Sequence, residues 1–157
     1  MKFWKRTALC ILALEVLGNA SGLLTFFSLE GWYDSLERPP GTPPNGVFGP
    51  VWLVLYALMG VALSLVLDGR NTSPERKSAL SWFGIQFGLN LAWTPIFFGL
   101  RQMTLALIVF ILLFGAVGLT LQRFQAVRPL AAALLWPYFL WLAYALYLNV
   151  GFVWLNR

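Results

Sequence analysis

WYDSLERPPGTPPNGVFGPVWLVLY, residues 32–56, is the stretch of sequence that decides the fold. Its first half carries four prolines, Pro39, Pro40, Pro43 and Pro44. Each proline fixes the backbone torsion φ and removes an amide donor, so this half favours neither a helix nor a central strand. Apolar segments lie on both sides of it. The stretch therefore predicts a long, stiff loop that brings aromatic side chains to one end of a helical assembly, as the lid of a ligand site.

The composition of the chain is that of a membrane protein. Of 157 residues, 59% are hydrophobic and only 11% are charged, with a mean hydropathy of +0.73. Soluble domains carry about a quarter charged residues. A chain with so few charges cannot cover its surface with polar groups, so we expect a multi-pass protein embedded in a lipid bilayer.

Five apolar runs are long enough to cross a bilayer, since a spanning helix needs about 20 residues. We predict an all-α, polytopic bundle of five transmembrane helices in one domain, residues 1–157. The expected helices cover about 7–27, 47–67, 78–99, 103–122 and 129–154, with the lid loop at 28–46. The first run could also be a cleaved signal peptide, but Glu15 interrupts its apolar part. A retained first helix is the favoured interpretation.

Basic residues predict the orientation. Eight of the eleven Lys and Arg residues fall in the loops on one side of the five spans, and three on the other. The positive-inside rule then places the N-terminus in the cytoplasm and the lid loop outside, if the membrane is that of a bacterial cell. This bias accounts for the net charge of +5, and it leaves no basic patch for binding nucleic acid.

Several chemistries are excluded or unsupported by the residues present. The sequence has no histidine, which rules out His-based metal sites, His-ligated haem and a Ser-His-Asp triad. Its single cysteine, Cys10, cannot form an intrachain disulfide. No metal-ligand spacing, paired carboxylates or glycine-rich phosphate loop occurs in the spans. We therefore expect no metal and no bound cofactor, and conventional enzymology has no support.

Glu15 is the only acid inside a predicted span, and two interpretations remain open. A charge near the bilayer centre costs roughly 2.5 to 3.5 kcal/mol, which favours a functional role that faces the bundle interior or a partner. Glu15 also lies only two turns from the N-terminal end of its predicted helix, where snorkelling or protonation would lower the free-energy cost of placing it in the membrane.

The third predicted helix carries two stripes on opposite faces, because an offset of two residues is about 200° around a helix. The stripes are Gly84, Gly88 and Ala92 on one face, and Gln86, Asn90 and Thr94 on the other. We expect the small face to pack against a helix, that of a second subunit included, and the polar face to turn inward. The inward amides either contact a ligand or only bond to neighbouring helices.

Aromatic residues of the second, third and fifth helices suggest a large, uncharged pocket. Its predicted lining is Trp52, Tyr56, Asn90, Trp93 and Trp141, closed from the loop by Tyr33 and by Pro43 or Pro44. Ala145 leaves a notch among large rings where a flat ligand could lie. Such a site suits a planar apolar ligand better than an ion.

These residues also resemble a known family, that of the tryptophan-rich sensory protein and the translocator protein, or peripheral-type benzodiazepine receptor. The similar stretches are Trp32-Tyr33 with Leu36 and Pro39, Pro43-Pro44, Phe48 with Pro50 and Trp52, Asn90 with Trp93 and Pro95, Phe97-Phe98-Gly99, and Pro137-Tyr138 with Trp141, Ala145 and Leu148-Asn149. They occur in the right order over nearly the whole chain.

The resemblance implies a five-helix bundle, commonly a homodimer, that binds protoporphyrin IX and related hydrophobic ligands. The matching ligand positions are Tyr33, Pro44, Phe48, Trp52, Tyr56, Asn90, Trp141 and Ala145. A homodimer interface would use Gly84 and Gly88. Some bacterial members degrade porphyrins in light, and in that case Trp52 and Trp141 would be the catalytic residues. We therefore expect a porphyrin-binding membrane receptor with a regulatory role, with a porphyrin-degrading enzyme and a transporter of amphipathic molecules as alternatives.

Overall fold

The computed structural model describes residues 2–29, 31–68 and 73–157, and this part of the chain is helical, with no strand. Five long helices follow one another: α1 (Phe3–Leu29), α2 (Asn45–Leu67), α3 (Pro74–Thr94), α4 (Met103–Val127) and α5 (Pro129–Leu155). The all-α five-helix architecture expected from the sequence is therefore confirmed.

Four of these helices, α1, α2, α4 and α5, are long and apolar enough to cross a membrane. At 21 residues α3 is about 31 Å long and could also span one, but its composition is more polar. It begins with Glu75, Arg76 and Lys77 and carries Gln86 and Asn90 in its interior. Because these two amides are buried, the polarity of α3 faces the bundle rather than lipid.

The helix boundaries differ from the expected ones in several places. Helix α1 begins at Phe3, α3 begins at Pro74, and α4 continues to Val127. The early start of α3 follows from Ser73, whose hydroxyl accepts a bond of 3.2 Å from the amide of Arg76 and caps the first turn. Polar residues at helix ends can continue a helix beyond its apolar run, which hydropathy alone does not reveal.

Two further corrections concern residues near prolines. The predicted third helix, 78–99, is α-helical only to Thr94, and Pro95–Gly99 form a π-helical turn closed by the amide of Leu100 and the carbonyl of Pro95, 2.8 Å apart. Proline lacks the amide hydrogen that continues the α-helical pattern. The loop is shorter than the predicted 28–46 because α2 begins at Asn45, and it contains a 3-10 turn at Tyr33–Ser35.

Helices α1 and α2 form an antiparallel pair with backbones in close contact. The hydroxyls of Thr7 and Ser64 lie 2.7 Å apart. A Cβ added to Gly60 would lie 2.7 Å from the Cα of Ile11, so only glycine permits this approach. Small residues at such crossings let membrane helices gain van der Waals contact.

Charged side chains gather at the end of the bundle where α1 begins. Arg6 pairs with Asp68, and Arg128 lies 3.9 Å from the same carboxylate. Arg76 donates to the carbonyls of Val66 and Leu67, at 2.9 and 2.8 Å, at the C-terminal end of α2. Of the basic residues predicted to lie on this side, Arg70 is outside the described residues.

The proline-rich loop lies at the opposite end, where it is bound to α5. The Tyr144 hydroxyl donates to the carbonyl of Gly41, and the Tyr147 hydroxyl donates to that of Pro40 at 2.9 Å. Asn156 exchanges two bonds with the backbone of Glu37, at 2.9 and 3.0 Å. The loop therefore follows the last turns of α5.

Candidate functional site

A cavity of about 360 Å³ lies beneath the loop, with all five helices in its walls. Its size is that of a small-molecule site. It brings together nearly all the residues that the sequence predicts to bind ligand: Tyr33, Phe48, Trp52, Tyr56, Asn90, Trp93, Trp141 and Ala145. The exceptions are the loop prolines. Pro44 is exposed just before α2, and neither it nor its alternative Pro43 is among the lining residues.

Other lining residues were not predicted, and they come largely from α1, α4 and the π-helical turn. They include Gly18, Asn19, Gly22, Phe97, Phe98, Phe110, Leu113, Asn149 and Phe152. Asn149 shares a helix face with Trp141 and Ala145, which is a signal that the sequence contains. Helix α4 offers no such signal, since its apolar residues surround the helix.

Aromatic rings form most of the wall and pack on one another. Trp52 and Tyr56 have ring centroids 5.3 Å apart, and Phe48 meets Trp141 edge-on at 6.2 Å. Edge-on and tilted contacts of this kind are favourable and hold each ring in one orientation. The cavity thus presents flat apolar surfaces whose positions are set before any ligand arrives.

A chain of hydrogen bonds lies behind this aromatic wall. The Tyr56 hydroxyl donates to Oδ1 of Asn90 at 2.9 Å, and Nδ2 of Asn90 donates to the Tyr138 hydroxyl at 3.1 Å. The Tyr138 hydroxyl in turn donates to Oε1 of Gln86 at 3.0 Å. The polar face of α3 therefore points inward, with Gln86 used for helix contact and Asn90 both bonded and lining the cavity.

A second pair of polar residues lies in the wall of the cavity. The indole nitrogen of Trp93 donates to Oδ1 of Asn149 at 3.1 Å, and Nδ2 of Asn149 donates to the carbonyl of Ala145 at 2.8 Å. These bonds join α3 to α5 and orient the Trp93 ring. They occupy one donor of Asn149 and leave its second amide hydrogen for another acceptor.

Tyr33 closes the cavity from the loop. Its ring is 4% exposed and contacts Phe98 and Phe152, each with centroids 5.5 Å away. Burial raises the pKa of the Tyr33 phenol, although the nearby Arg38 guanidinium acts in the opposite direction. The phenol therefore stays protonated at neutral pH and can act as a hydrogen-bond donor.

The lining is uncharged throughout the part of the chain that the structure describes. Glu15 is not among the lining residues, and its carboxylate accepts a bond of 3.0 Å from Asn19 on the same helix. Within the same described residues, no three His, Cys, Asp or Glu side chains are grouped to hold a metal ion. The site can therefore select ligands by shape, stacking and a few amide or hydroxyl contacts.

Comparison with known proteins agrees with this architecture. The family model described as TspO/MBR family matches residues 10–155. The chain belongs to the TspO/MBR family. It is 44% identical over 119 residues to the translocator protein of Homo sapiens, covering 75% of this chain and 70% of that protein.

Relatives from a bacterium and an archaeon match more of the chain. The tryptophan-rich protein TspO of Chlorobaculum tepidum is 36% identical over 149 residues, with 95% of this chain and 94% of the relative covered. That of Archaeoglobus fulgidus is 37% identical over 146 residues, with 93% and 94% covered. This TspO/MBR chain is thus an integral membrane protein of a family with members in animals, bacteria and archaea.

The small-residue face of α3 lies on the outside of this TspO/MBR bundle. Gly84 and Gly88 are exposed, and a Cβ added to either would meet nothing within 4 Å. Two glycines four residues apart form a shallow groove along the helix. The groove leaves room for another helix to approach.

Proposed function

We propose that this protein binds porphyrins, protoporphyrin IX in particular, and related flat hydrophobic molecules, as a membrane receptor with a regulatory role. The observation that carries the proposal is the aromatic, uncharged cavity of about 360 Å³ beneath the loop. Ring faces at Trp52, Tyr56 and Trp141 would stack on a conjugated macrocycle. Membership of the TspO/MBR family supports the same conclusion.

Amide groups at the edge of the cavity would orient the ligand. Asn90 and Asn149 each have one amide hydrogen beyond those used in the bonds described above. A buried donor without a partner costs roughly 1 to 3 kcal/mol, so a ligand that supplies an acceptor there gains affinity. We expect flat molecules with acceptor groups at one edge to bind more tightly than plain hydrocarbons.

A titration with a matched pair of variants tests this proposal. Protoporphyrin IX is added in the dark, and quenching of tryptophan fluorescence is followed. Ala145→Phe fills the notch and should weaken binding about tenfold or more, a loss of about 1.4 kcal/mol. Ala143→Phe, on the exposed face of the same helix, should bind as wild type does. Quenching that never saturates, or equal affinity in the two variants, would refute the proposal.

Light-dependent degradation of the bound porphyrin is the second candidate function. Trp52 and Trp141 both line the cavity, so their indoles would lie beside the ligand. Illumination of the titrated sample separates the two functions. Stable porphyrin absorbance supports a receptor, whereas a fall in wild type that is lost in Trp141→Phe, with binding largely retained, supports the enzyme.

Transport of amphipathic molecules is the remaining alternative. The family includes proteins named translocator protein, which is the reason to keep it. Glu15, the one acid in the first span, lies off the cavity lining, so proton coupling through it has no direct path to the ligand. Gradient-dependent flux in proteoliposomes would be needed to establish transport.

We further propose that two copies associate through the groove at Gly84 and Gly88. Leucine at both positions would fill the groove and should convert a dimer to a monomer in detergent, as measured by light scattering. The same substitution at Gly115, an exposed glycine of α4 with nothing within 4 Å, serves as the control. A dimer that persists in the double α3 variant would remove this interface.

The expected orientation is also a proposal: N-terminus in the cytoplasm of a bacterial cell and loop outside. With Cys10 replaced by serine, a single cysteine at Ser35 in the loop reports the side directly. A membrane-impermeant maleimide should label it in intact cells. Labelling only after lysis would reverse the orientation.

A further inference from the structure

Helices α1 and α2 are in close contact along part of their shared length. Thr7 lies against Ser64, and Ile11 lies against Gly60. About two turns further along α1, Gly18 lies against the ring of Tyr56, and a Cβ added to this glycine would overlap the ring. At these three levels the two helices are in close contact.

Beyond these levels, the register of these contacts predicts which residues of the two helices lie opposite each other. Continuing the antiparallel register of the Thr7–Ser64 and Ile11–Gly60 contacts sets Gly22 opposite Gly49. Among the side chains that the structure describes, none lies within 4 Å of a Cβ added to either glycine, in contrast to Gly60. Both glycines also line the cavity. The seam between α1 and α2 therefore opens into the ligand site where two residues without side chains face each other.

The rim of this opening is apolar and faces outward. Leu23, next to Gly22, lines the cavity and is also 59% exposed. On the α2 side, Leu53 is 56% exposed, one turn beyond Gly49. Both helices are apolar enough to span the membrane, so this rim lies against lipid rather than water. We name the gap bounded by Gly22 and Gly49 the lateral opening.

Two other sides of the cavity are held together by specific contacts. On the other flank of α1, the Ser21 hydroxyl donates to the carbonyl of Leu91 in α3 at 2.9 Å. From the loop side, Tyr144 and Tyr147 bond to the loop backbone, and Pro39 is buried against Gly151. Ligand moving past the loop would have to break these bonds.

We propose that the ligand reaches the site sideways from the bilayer through the lateral opening, and that the glycine pair selects flat molecules dissolved in lipid. This inference rests on the proposed binding function and adds its route and ligand class. A slot between two helix backbones admits a conjugated ring system edge-on. Since no charged residue lines the described cavity, the site offers no ionic partner to a charged ligand, and the slot favours uncharged ring systems.

Binding kinetics in proteoliposomes test the route. Protoporphyrin IX is supplied in the lipid, and tryptophan quenching gives the association and dissociation rates. Gly22→Leu and, separately, Gly49→Leu should each slow both rates about tenfold, equivalent to about 1.4 kcal/mol on the barrier. Slower dissociation is the decisive sign, because a merely damaged site releases its ligand faster. Gly115→Leu should leave both rates unchanged.

The opposite result is equally clear. If Tyr144→Phe speeds both rates while the two glycine variants behave as wild type, the ligand passes under the loop and the proposal is wrong. Faster dissociation in the glycine variants would also overturn it.

A second measurement does not depend on porphyrin. In a Cys10→Ser background, Leu113→Cys places a thiol on the α4 wall of the cavity, at a position 1% exposed. A neutral apolar maleimide dissolved in the bilayer should label it, and Gly22→Leu should slow labelling about tenfold. Equal labelling with and without Gly22→Leu would show that the proposed route is wrong. If labelling is slowed but porphyrin does not bind, the route is supported and only the proposed ligand is rejected.

Discussion

Replacing Tyr138 with phenylalanine isolates the energetic role of the hydrogen-bond chain behind the cavity. The Tyr138 side chain is fully buried, and its hydroxyl accepts from Asn90 at 3.1 Å and donates to Gln86 at 3.0 Å. Phenylalanine keeps the ring and removes only the oxygen. The substitution therefore deletes two hydrogen bonds while the contact of this ring with Trp52 is kept.

The magnitude follows from the two partners left behind. Interhelical hydrogen bonds in membrane proteins contribute about 0.6 kcal/mol each on average, so two bonds give about 1.2 kcal/mol as a lower figure. Gln86 and Asn90 are only 1% and 5% exposed, so their freed groups find no ready water. An unsatisfied buried group costs roughly 1 to 3 kcal/mol. We expect Tyr138→Phe to lower the free energy of unfolding by about 1 to 3 kcal/mol.

Unfolding by SDS in mixed micelles, followed by helical circular dichroism, measures this loss. Tyr147→Phe is the matched control, because its hydroxyl makes one bond to a loop carbonyl and the residue is 50% exposed. Gln86→Leu adds a second check: with the Gln86 amide removed, Tyr138→Phe should cost measurably less than in wild type. A loss under about 0.5 kcal/mol, or additive costs in the double variant, would refute the network as a source of stability.

Three further predictions follow from close contacts. Gly60→Leu should destabilise the bundle by roughly 1 to 3 kcal/mol or more, because its side chain would overlap α1, whereas Gly115→Leu should have little effect in the same unfolding assay. Tyr144→Phe should increase hydrogen exchange of the loop amides of Gly41 and Thr42 about fivefold or more, since the lost bond contributes about 1 kcal/mol; unchanged exchange would show that the loop is held elsewhere. Ser73→Ala should cost about 0.5 to 2 kcal/mol through loss of the α3 cap, and Ser73→Asp should restore most of it; equal stability of both variants would argue against the cap.

Much of the candidate site could be predicted from the sequence because its residues stand out locally. Trp52, Trp141 and Asn90 are large or polar side chains within apolar helices, and such residues at these positions indicate a specific contact or a binding site. Prolines marked the loop in the same way. Each of these signals depends on the residue and its near neighbours, so it survives without knowledge of the fold.

The contributions of α1 and α4 could not be predicted. Phe110 and Leu113 line the cavity, but a helix that is apolar on every side carries no asymmetry to mark its inner face. Gly18 and Gly22 are four residues apart, a spacing at which both could permit close contact with another helix. Gly18 meets the Tyr56 ring, whereas Gly22 meets none of the side chains that the structure describes, and this difference depends on the position of α2.

What the sequence by itself determined is the membrane class, the five helices and the family, because composition, apolar length and residue order are properties of the chain alone. The tertiary structure decided which partner each polar group found. Tyr138 lies only three residues before Trp141 on α5, yet it is absent from the cavity lining and links Asn90 to Gln86. Such pairings join residues that are about fifty positions apart, and they depend on helix rotation and crossing, which are set by packing against all neighbours at once.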